Sequence, residues 1–209
     1  MRTLVIDTAT AACSVALIEG GHVVAARHEA VGRGHAERLL PMIAELPDGG
    51  RAGHVLVDVG PGSFTGVRVG IAAARGLAMG WSATVGGYSS LALIAAGSVA
   101  KATDGLPLAV VLEGGHGEVF MQLFAPAPLR PIGSLESLRP DVARGRLGGH
   151  TVVGDGLRWL GVGDPREQPP GALPVAADAV LLPAELTQLP ARPIYGRAPD
   201  AKLPGGRSL

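Results

Sequence analysis

Little in this sequence suits direct binding of nucleic acid. Its 18 basic and 18 acidic residues give a formal net charge of zero. A protein that binds nucleic acid alone needs a positive field, because neutralising phosphates supplies most of the affinity. Aromatic residues make up only 3% of the chain, too few for the stacking platforms of single-strand binders. Any contact with RNA is therefore expected to be shared with another protein.

Cysteine and long apolar runs are scarce as well. The single cysteine, Cys13, precludes an intrachain disulfide and fits a reducing compartment. It lies in an apolar run, which favours a small buried side chain over a nucleophile. Asp7 follows Leu4–Ile6 at once, so these residues do not form a signal peptide. No run reaches the about 18 apolar residues of a membrane span. We expect a cytoplasmic protein without membrane segments.

The overall composition nevertheless predicts a folded core. The chain has 209 residues, enough for one large domain or two small ones. Hydrophobic residues make up 47% and charged residues 17%. This balance excludes a disordered or fibrous protein.

The chain opens with a pattern typical of an antiparallel meander. Thr3–Ile6 is an apolar run that predicts a buried strand. Ser14–Ile18 and His22–Arg27 predict two more strands, separated by Gly20-Gly21. A glycine pair between two apolar runs indicates a hairpin, because glycine accepts positive φ without steric cost.

Two helices are predicted after the meander. In His35–Leu46, apolar residues recur at i, i+3, i+4 and i+7 from Leu39, and Pro41 predicts a kink. The second helix runs from Val67 to about Gly80, after a strand over His54–Val59. Its glycines each cost about 1 kcal/mol relative to alanine. Such a helix is stabilised by close packing, so we expect a neighbouring element against its small-residue face, which consists of Gly70, Ala74 and Ala78.

The second half of the chain shows a weaker version of the same pattern. Its predicted elements are a strand at Thr84–Val85, a helix over Ser89–Lys101, a hairpin of Leu108–Leu112 with Val119–Phe124, a loop over 126–140, a strand at Thr151–Gly154 and a helix over Ala176–Leu189 broken by Pro183. The strand–hairpin–helix theme thus occurs once in each half. We expect two α/β lobes, residues 1–103 and 104–209.

The loop Gly60–Gly66 resembles a phosphate cradle. Its glycines let backbone N–H groups converge, Ser63 and Thr65 supply hydroxyl groups, and a helix N-terminus favours an anion. Arg68 is a candidate cation at the start of the helix. The loop is not a Walker A motif, because the Lys-Ser/Thr ending is missing. The alternative is a capped turn that positions a scaffold helix.

Asp7 and Thr8 follow the first strand and precede a hairpin. This arrangement resembles the first phosphate loop of the actin, Hsp70 and sugar-kinase superfamily, in which a carboxylate at a strand end positions a metal-bound water. Thr8 stands where those loops usually carry a glycine that lets the backbone approach the nucleotide. Asp7 and Thr8 are therefore candidate nucleotide-binding residues, on a lobe that fits this superfamily.

Metal sites and nucleophiles are not apparent. No two of the six histidines are four residues apart, so the sequence has no His-x-x-x-His pair. Ser63 does not lie in a Gly-x-Ser-x-Gly nucleophile elbow, because the residue two positions after it is Thr65 and not glycine. We therefore expect no bound metal, no other cofactor and no catalytic residue in this chain.

Three segments carry a specific family resemblance: Met1–Leu17, His35–Met42 and Gly60–Ala78. They closely resemble the bacterial tRNA threonylcarbamoyladenosine biosynthesis family TsaB, also called YeaZ. The string Gly60-Pro61-Gly62-Ser63-Phe64-Thr65-Gly66-Val67-Arg68 is highly specific to it. Weaker matches at 117–120, 153–156 and 193–195 extend the resemblance over nearly the whole chain.

The resemblance implies an actin-like (ribonuclease-H-like) two-lobed α/β fold, in which each lobe is a mixed sheet with an antiparallel meander and packed helices. It also implies a non-catalytic subunit of the complex that transfers threonylcarbamoyl to tRNA adenosine. The partner would be the metal-bearing paralogue TsaD, with the ATPase TsaE in the larger complex. A homodimer is expected when the chain is alone, and tRNA contact only through the complex.

Two helices of this family meet the same pair from the partner in a four-helix contact. Carried onto this sequence, the expected interface residues are His35, Leu39, Met42, Ile43, Val67, Gly70, Ile71, Ala74 and Ala78. The paralogue's His-x-x-x-His would align near Val85–Leu91, where this chain has no histidine. The family's usual Asp-Ala-Arg is also replaced, by Glu113-Gly114-Gly115-His116.

Two rival functions stay open at the level of sequence. One is an active actin-like ATPase or kinase that uses Asp7 and the Gly60–Gly66 loop, which would need a complete set of nucleotide loops. The other is a glycopeptidase-type hydrolase, which would need metal ligands or an activated nucleophile.

Overall fold

The first lobe is built on a five-stranded mixed sheet. The computed structural model of the chain describes residues 1–101, 105–161 and 173–196. The strands are β1 (Arg2–Asp7), β2 (Ala12–Glu19), β3 (His22–Ala30), β4 (His54–Asp58) and β5 (Thr84–Tyr88), in the order β3-β2-β1-β4-β5. β1, β2 and β3 pair antiparallel, whereas β4 is parallel to both β1 and β5. The predicted meander is thereby confirmed. Gly20 and Gly21 have φ of 59° and 81°, as the hairpin turn requires.

Helices cover both faces of this sheet. They are α1 (His35–Ala44), α2 (Phe64–Trp81) and α3 (Ser90–Val99). The apolar side chains of α1 and α2 join one face of the sheet in a core that includes Leu4, Ile6, Val55 and Val57. α3 is buried along most of its length in a second core, shared with both sheets.

The second lobe repeats the arrangement of the first in shorter form. Its strands are β6 (Leu108–Gly115), β7 (Glu118–Pro126), β8 (Leu129–Leu138) and β9 (Thr151–Val153), in the order β8-β7-β6-β9. β6, β7 and β8 form an antiparallel meander, and β9 is parallel to β6. The short helices α4 (Pro140–Gly145) and α5 (Leu157–Leu160) follow β8 and β9, as α1 and α2 follow β3 and β4. The expected two-lobed α/β class is confirmed.

Two predictions for the second half are wrong in detail. The proline-rich segment 126–140, expected to be a loop, contains β8, which pairs with β7 over Val119–Pro126. β8 tolerates Pro131 because it is an edge strand. The helix expected over Ala176–Leu189 is instead two short 3-10 helices, Ala176–Leu181 and Ala184–Thr187. Pro183 separates them, as its missing N–H dictates.

The segment 173–196 returns to the first lobe. The N–H of Ala176 donates to Ser14 Oγ at 2.9 Å, Leu189 forms a bridge with Gly87, and the N–H of Ile194 donates to Val59 O at 2.7 Å. The predicted boundary between residues 103 and 104 and the tail beyond 196 lie outside the described residues. The division into 1–103 and 104–209 therefore stays a prediction. We call the segment 173–196, which contacts the first lobe again, the return strap.

The expected partner face of α1 and α2 points into the first lobe of the chain. These helices cover apolar strands that would otherwise meet water, so their apolar sides are turned inward. Gly70 lies so close to Thr8 that an added Cβ would be 2.5 Å from Thr8 Oγ1. His35 Nε2 lies 3.2 Å from Ala12 O. All nine expected interface residues are buried within the lobe: His35, Leu39, Met42, Ile43, Val67, Gly70, Ile71, Ala74 and Ala78.

No helix within the described ranges is long and apolar enough to cross a membrane. Cys13 is buried and unpaired in β2, as predicted.

Candidate functional site in the cleft between the lobes

A cleft of about 950 Å³ lies where the two lobes meet. One wall comes from the β1–β2 turn, the loop before α1 and the start of α2. The other comes from the β6–β7 turn, from the segment after β9 and from the end of the return strap. Side chains that bear charge or an aromatic ring on these walls are Arg33, Phe64, Arg68, Glu113, His116, Phe120, Asp155, Arg158 and Tyr195.

The glycine-rich loop packs tightly on the β1–β2 turn. The N–H of Ser63 donates to Ala9 O at 2.6 Å. A Cβ at Gly62 would lie 2.1 Å from Ala9 O, and one at Gly66 would lie 2.0 Å from Thr8 O. The glycines are therefore required by contact between two parts of the same lobe. The carbonyl groups of residues 8 and 9 occupy space at the start of α2 that a phosphate cradle would leave open.

The hydroxyl groups expected to bind phosphate are mostly engaged within the lobe. Ser63 Oγ accepts from the N–H of Gly66 at 3.2 Å and so caps α2. Thr8 Oγ1 donates to Gly66 O at 2.7 Å and is buried. Thr65 is exposed on the first turn. The geometry favours the alternative weighed at the sequence level, a capped turn that positions a scaffold helix.

Arg68 is held in place at the mouth of the cleft by uncharged groups. Its guanidinium lies 3.2 Å from the centroid of the Phe64 ring, donates to Phe64 O at 3.0 Å and donates to the Tyr195 hydroxyl at 2.5 Å. A guanidinium over an aromatic face is stabilised by cation–π attraction. Arg68 thus ties the start of α2 to the return strap.

Asp7 lies behind the cleft wall and is fully buried. Its Oδ2 accepts from the Tyr88 hydroxyl at 3.0 Å, and its Oδ1 accepts from the N–H of Ala9 at 3.3 Å. A second buried carboxyl group, Asp58, lies beside it at the end of β4. Burial and, secondly, the charge of Asp58 raise the pKa of Asp7 well above its ordinary value.

The opposite wall carries its own paired charges. Arg158 forms an ion pair with Glu113. The N–H of Glu113 donates to Asp155 Oδ1 at 2.9 Å, and burial raises the pKa of Asp155. Residues Glu113, Gly114, Gly115 and His116 lie at the tip of the β6–β7 hairpin and line the cleft.

Sequence reasoning missed three residues around the buried carboxyl group of Asp7: Asp58, Tyr88 and Ser90. A signal for Asp58 was present, because β1 and β4 each end in an aspartate. The carboxyl ends of neighbouring parallel strands meet at one sheet edge, so two such aspartates are brought together. No local pattern marks Tyr88 or Ser90, which reach the pair only through the packing of β5 and α3.

Within the described ranges, no group of three or more His, Cys, Asp or Glu residues could hold a metal ion. Of the candidate residues predicted from the sequence, the structure brings Asp7, Thr8, Ser63 and Arg68 to one region and leaves Thr65 exposed at its surface.

Comparison with known proteins gives the family. Residues 22–125 match the model of the family described as TsaD, tRNA N6-adenosine threonylcarbamoyltransferase. The TsaB protein of Escherichia coli K12 is 42% identical over 127 residues, which cover 57% of this chain and 53% of that protein. The YeaZ structure from Pseudomonas aeruginosa superposes with a TM-score of 0.76 at 29% identity, covering 93% of this chain and 99% of that one. The chain belongs to the TsaB (YeaZ) family.

The alignments with the TsaB proteins cover only part of each protein's length. The matches span about half of the first curated TsaB relatives, 53% of the Escherichia coli protein and 42% of that from Haemophilus influenzae. An uncharacterized protein of Mycobacterium tuberculosis H37Rv is 30% identical over 210 residues, covering 95% of this chain and 93% of that protein. The two-lobed α/β fold described above is shared with the YeaZ structure over 93% of this chain.

Proposed function

We propose that this chain is a non-catalytic accessory subunit in the formation of threonylcarbamoyladenosine in tRNA. The observation that carries the proposal is the 42% identity to a protein named for tRNA threonylcarbamoyladenosine biosynthesis, TsaB of Escherichia coli. The match of residues 22–125 to the TsaD family supports a common origin with the transferase itself. The chain would then act beside the catalytic paralogue TsaD, which carries the metal.

The state of the cleft supports a non-catalytic role. A carboxylate that positions a metal-bound water must be ionised and reachable, whereas Asp7 is buried and its pKa is raised. Ser63 caps α2, and Thr8 donates to Gly66 O. Three of the groups that the rival ATPase or kinase would use are thus engaged within the lobe, which supports the accessory role.

The outward faces of α1 and α2 are the surfaces that we propose for the partner. Leu40 on α1 is 53% exposed and Met79 on α2 is 84% exposed. Ala72, Gly76 and Met79 follow one another at i, i+4 and i+7 and lie at the surface. Small residues beside exposed apolar ones suit close helix–helix packing. TsaD would dock here, and a second copy of the chain would take its place when TsaD is absent.

The remaining partners follow from the same proposal. TsaE would join the larger complex, and tRNA would be contacted through the complex rather than by this chain alone. The expected compartment is the cytoplasm, where tRNA modification takes place.

The proposal is tested by reconstitution with the metal-bearing paralogue. The two proteins should co-purify, and threonylcarbamoyl transfer to tRNA should require both. Asp7→Asn should keep transfer within a few-fold of wild type, whereas loss of a catalytic acid or base typically costs about 10²–10⁴-fold. Abolished transfer in an Asp7→Asn complex that still assembles would favour the ATPase or kinase. Transfer that proceeds equally well without the chain would refute the accessory role.

A further inference from the structure

Two carboxyl groups are buried side by side at the ends of neighbouring strands. Asp7 ends β1 and Asp58 ends β4, and the parallel register of these strands pairs Ile6 with Val57 immediately before them. The exposed fraction is 0% for Asp7 and 2% for Asp58. Their side chains lie within hydrogen-bonding reach of each other.

The hydrogen bonds around the pair leave one oxygen without a donor. Asp58 Oδ1 accepts from the N–H of Gly60 at 2.6 Å and from Ser90 Oγ at 2.9 Å. Asp58 Oδ2 is buried and has no hydrogen-bond partner among the described residues. A buried acceptor without a donor costs about 1–3 kcal/mol, and more if it is charged. The neighbour that can supply a donor is the carboxyl group of Asp7.

The surroundings offer no positive charge that would stabilise two carboxylates. Neither carboxyl group forms an ion pair with a basic side chain in the part of the chain that the structure describes. The titratable groups that face the pair are Tyr88 of β5 and Cys13 of β2. Both of these groups are neutral at neutral pH, and α3 contributes the uncharged Ser90. Two adjacent buried carboxyl groups in such a site cannot both ionise.

We propose that Asp7 and Asp58 share one proton at neutral pH, so that Asp7 is a neutral donor to Asp58 Oδ2 rather than a ligand for a cation. The shared proton supplies Asp58 Oδ2 with a donor, so that the pair is satisfied without a metal ion. This inference goes beyond the proposed function and does not depend on it.

The direction of the pKa shifts agrees with this arrangement. Burial comes first in raising the pKa of each aspartate. The hydrogen bond between the two raises the pKa of Asp7 and lowers that of Asp58, as expected when the proton resides on Asp7. A carboxyl group with a raised folded-state pKa holds a proton that the unfolded chain releases. Its contribution to stability is fully present below the unfolded carboxyl pKa of about 4 and is lost as the pH rises through the folded-state pKa.

The test is the pH dependence of urea unfolding for wild type, Asp7→Asn and Asp58→Asn. In wild type, the unfolding equilibrium constant should rise by up to about tenfold per pH unit above the ordinary carboxyl range, because one proton is released. Either asparagine supplies a permanent N–H donor in place of the proton, so both variants should lose this component of the slope. Tyr88→Phe removes the hydroxyl group that contacts Ile6 O and Asp7 Oδ2 but keeps the carboxyl pair, so it should retain the slope.

Infrared difference spectra give an independent readout. Wild type minus Asp7→Asn should show the C=O band of a protonated carboxyl group at neutral pH, shifted in heavy water. This band can be sought in wild type minus Asp58→Asn if Asp7→Asn does not fold. Equal slopes in wild type and both asparagine variants, together with no such band, would overturn the proposal. So would a wild-type slope that disappears on addition of K⁺ or Mg²⁺, since a cation rather than a proton would then occupy the pair.

Discussion

The absence of a Cβ atom at two glycines allows the glycine-rich loop to pack closely on the β1–β2 turn. Gly62 and Gly66 each face a carbonyl oxygen of the turn at a distance that no Cβ could occupy. Gly76 and Gly80, on the same helix, have nothing within 4 Å of an added Cβ. Close packing therefore requires glycine at positions 62 and 66, whereas no contact within the monomer requires it at positions 76 and 80.

Gly66→Ala should destabilise the protein, because the new Cβ would lie 2.0 Å from Thr8 O, a backbone atom. Overpacking of this kind typically costs about 1–3 kcal/mol and occasionally more. The matched control is Gly76→Ala on the exposed face, which should leave the free energy of unfolding unchanged or raise it by up to about 1 kcal/mol through helix propensity. Urea denaturation of both variants checks the pair. Equal stability of Gly66→Ala and wild type would contradict the packing described above.

At the scale of the element, one face of α2 packs within the lobe, and the other is the surface that we propose for a partner. The inner face, with Gly70, Ala74 and Ala78, packs on the lobe's own sheet. The outer face carries Ala72, Gly76 and Met79 at the surface. The sequence pattern predicted the small-residue spacing but could not tell the inner side of the helix from the outer one, since both sides are rich in small residues.

A matched pair of alanine substitutions separates these faces. Ala74→Leu inserts a large side chain at a position with 0% exposure and should lower the melting temperature of the monomer, at a cost of about 1–3 kcal/mol. Ala72→Leu adds the same side chain on the exposed face, so it should melt like wild type while losing the homodimer and the TsaD complex. Thermal melting and sedimentation measure the two effects. If Ala72→Leu dimerised normally, the outer face would not be the interface.

At the scale of the whole molecule, two similar lobes are joined by a strap. The strand orders β3-β2-β1-β4 and β8-β7-β6-β9 have the same directions, which indicates a duplicated unit. The strap 173–196 ends beside the cleft, where Tyr195 accepts from Arg68. Charges on the cleft walls are largely paired or held by neutral groups, and the full chain has no net charge.

This charge balance predicts that the isolated chain does not retain tRNA. Non-specific binding of nucleic acid relies on neutralised phosphates and has a Kd of about 10⁻⁴–10⁻⁶ M even for basic proteins. In a mobility-shift assay at physiological salt, tRNA should be retarded by the complex with the paralogue but not by this chain alone. The paralogue alone is the control. Micromolar or tighter binding of tRNA by the isolated chain would contradict the prediction.

The sequence by itself determined the local elements of the first lobe. Apolar period and turn residues predicted β1–β4, α1, α2 and the first hairpin, because those signals arise between neighbours in the chain. The sequence predicts the second lobe less well: it indicates a loop where β8 lies, because the prolines mask a strand that is held by pairing with β7.

Only the tertiary structure decided what the candidate site residues do. Thr8 and Gly66 are 58 positions apart, yet their contact engages both the Thr8 hydroxyl and the start of α2. Tyr88 is 81 positions from Asp7, and its hydroxyl group donates to the Asp7 carboxyl group. Whether a polar side chain is free to bind a ligand or is satisfied within the fold depends on such distant partners. A sequence names the chemical groups, whereas the packing of the folded chain decides which of them remain available.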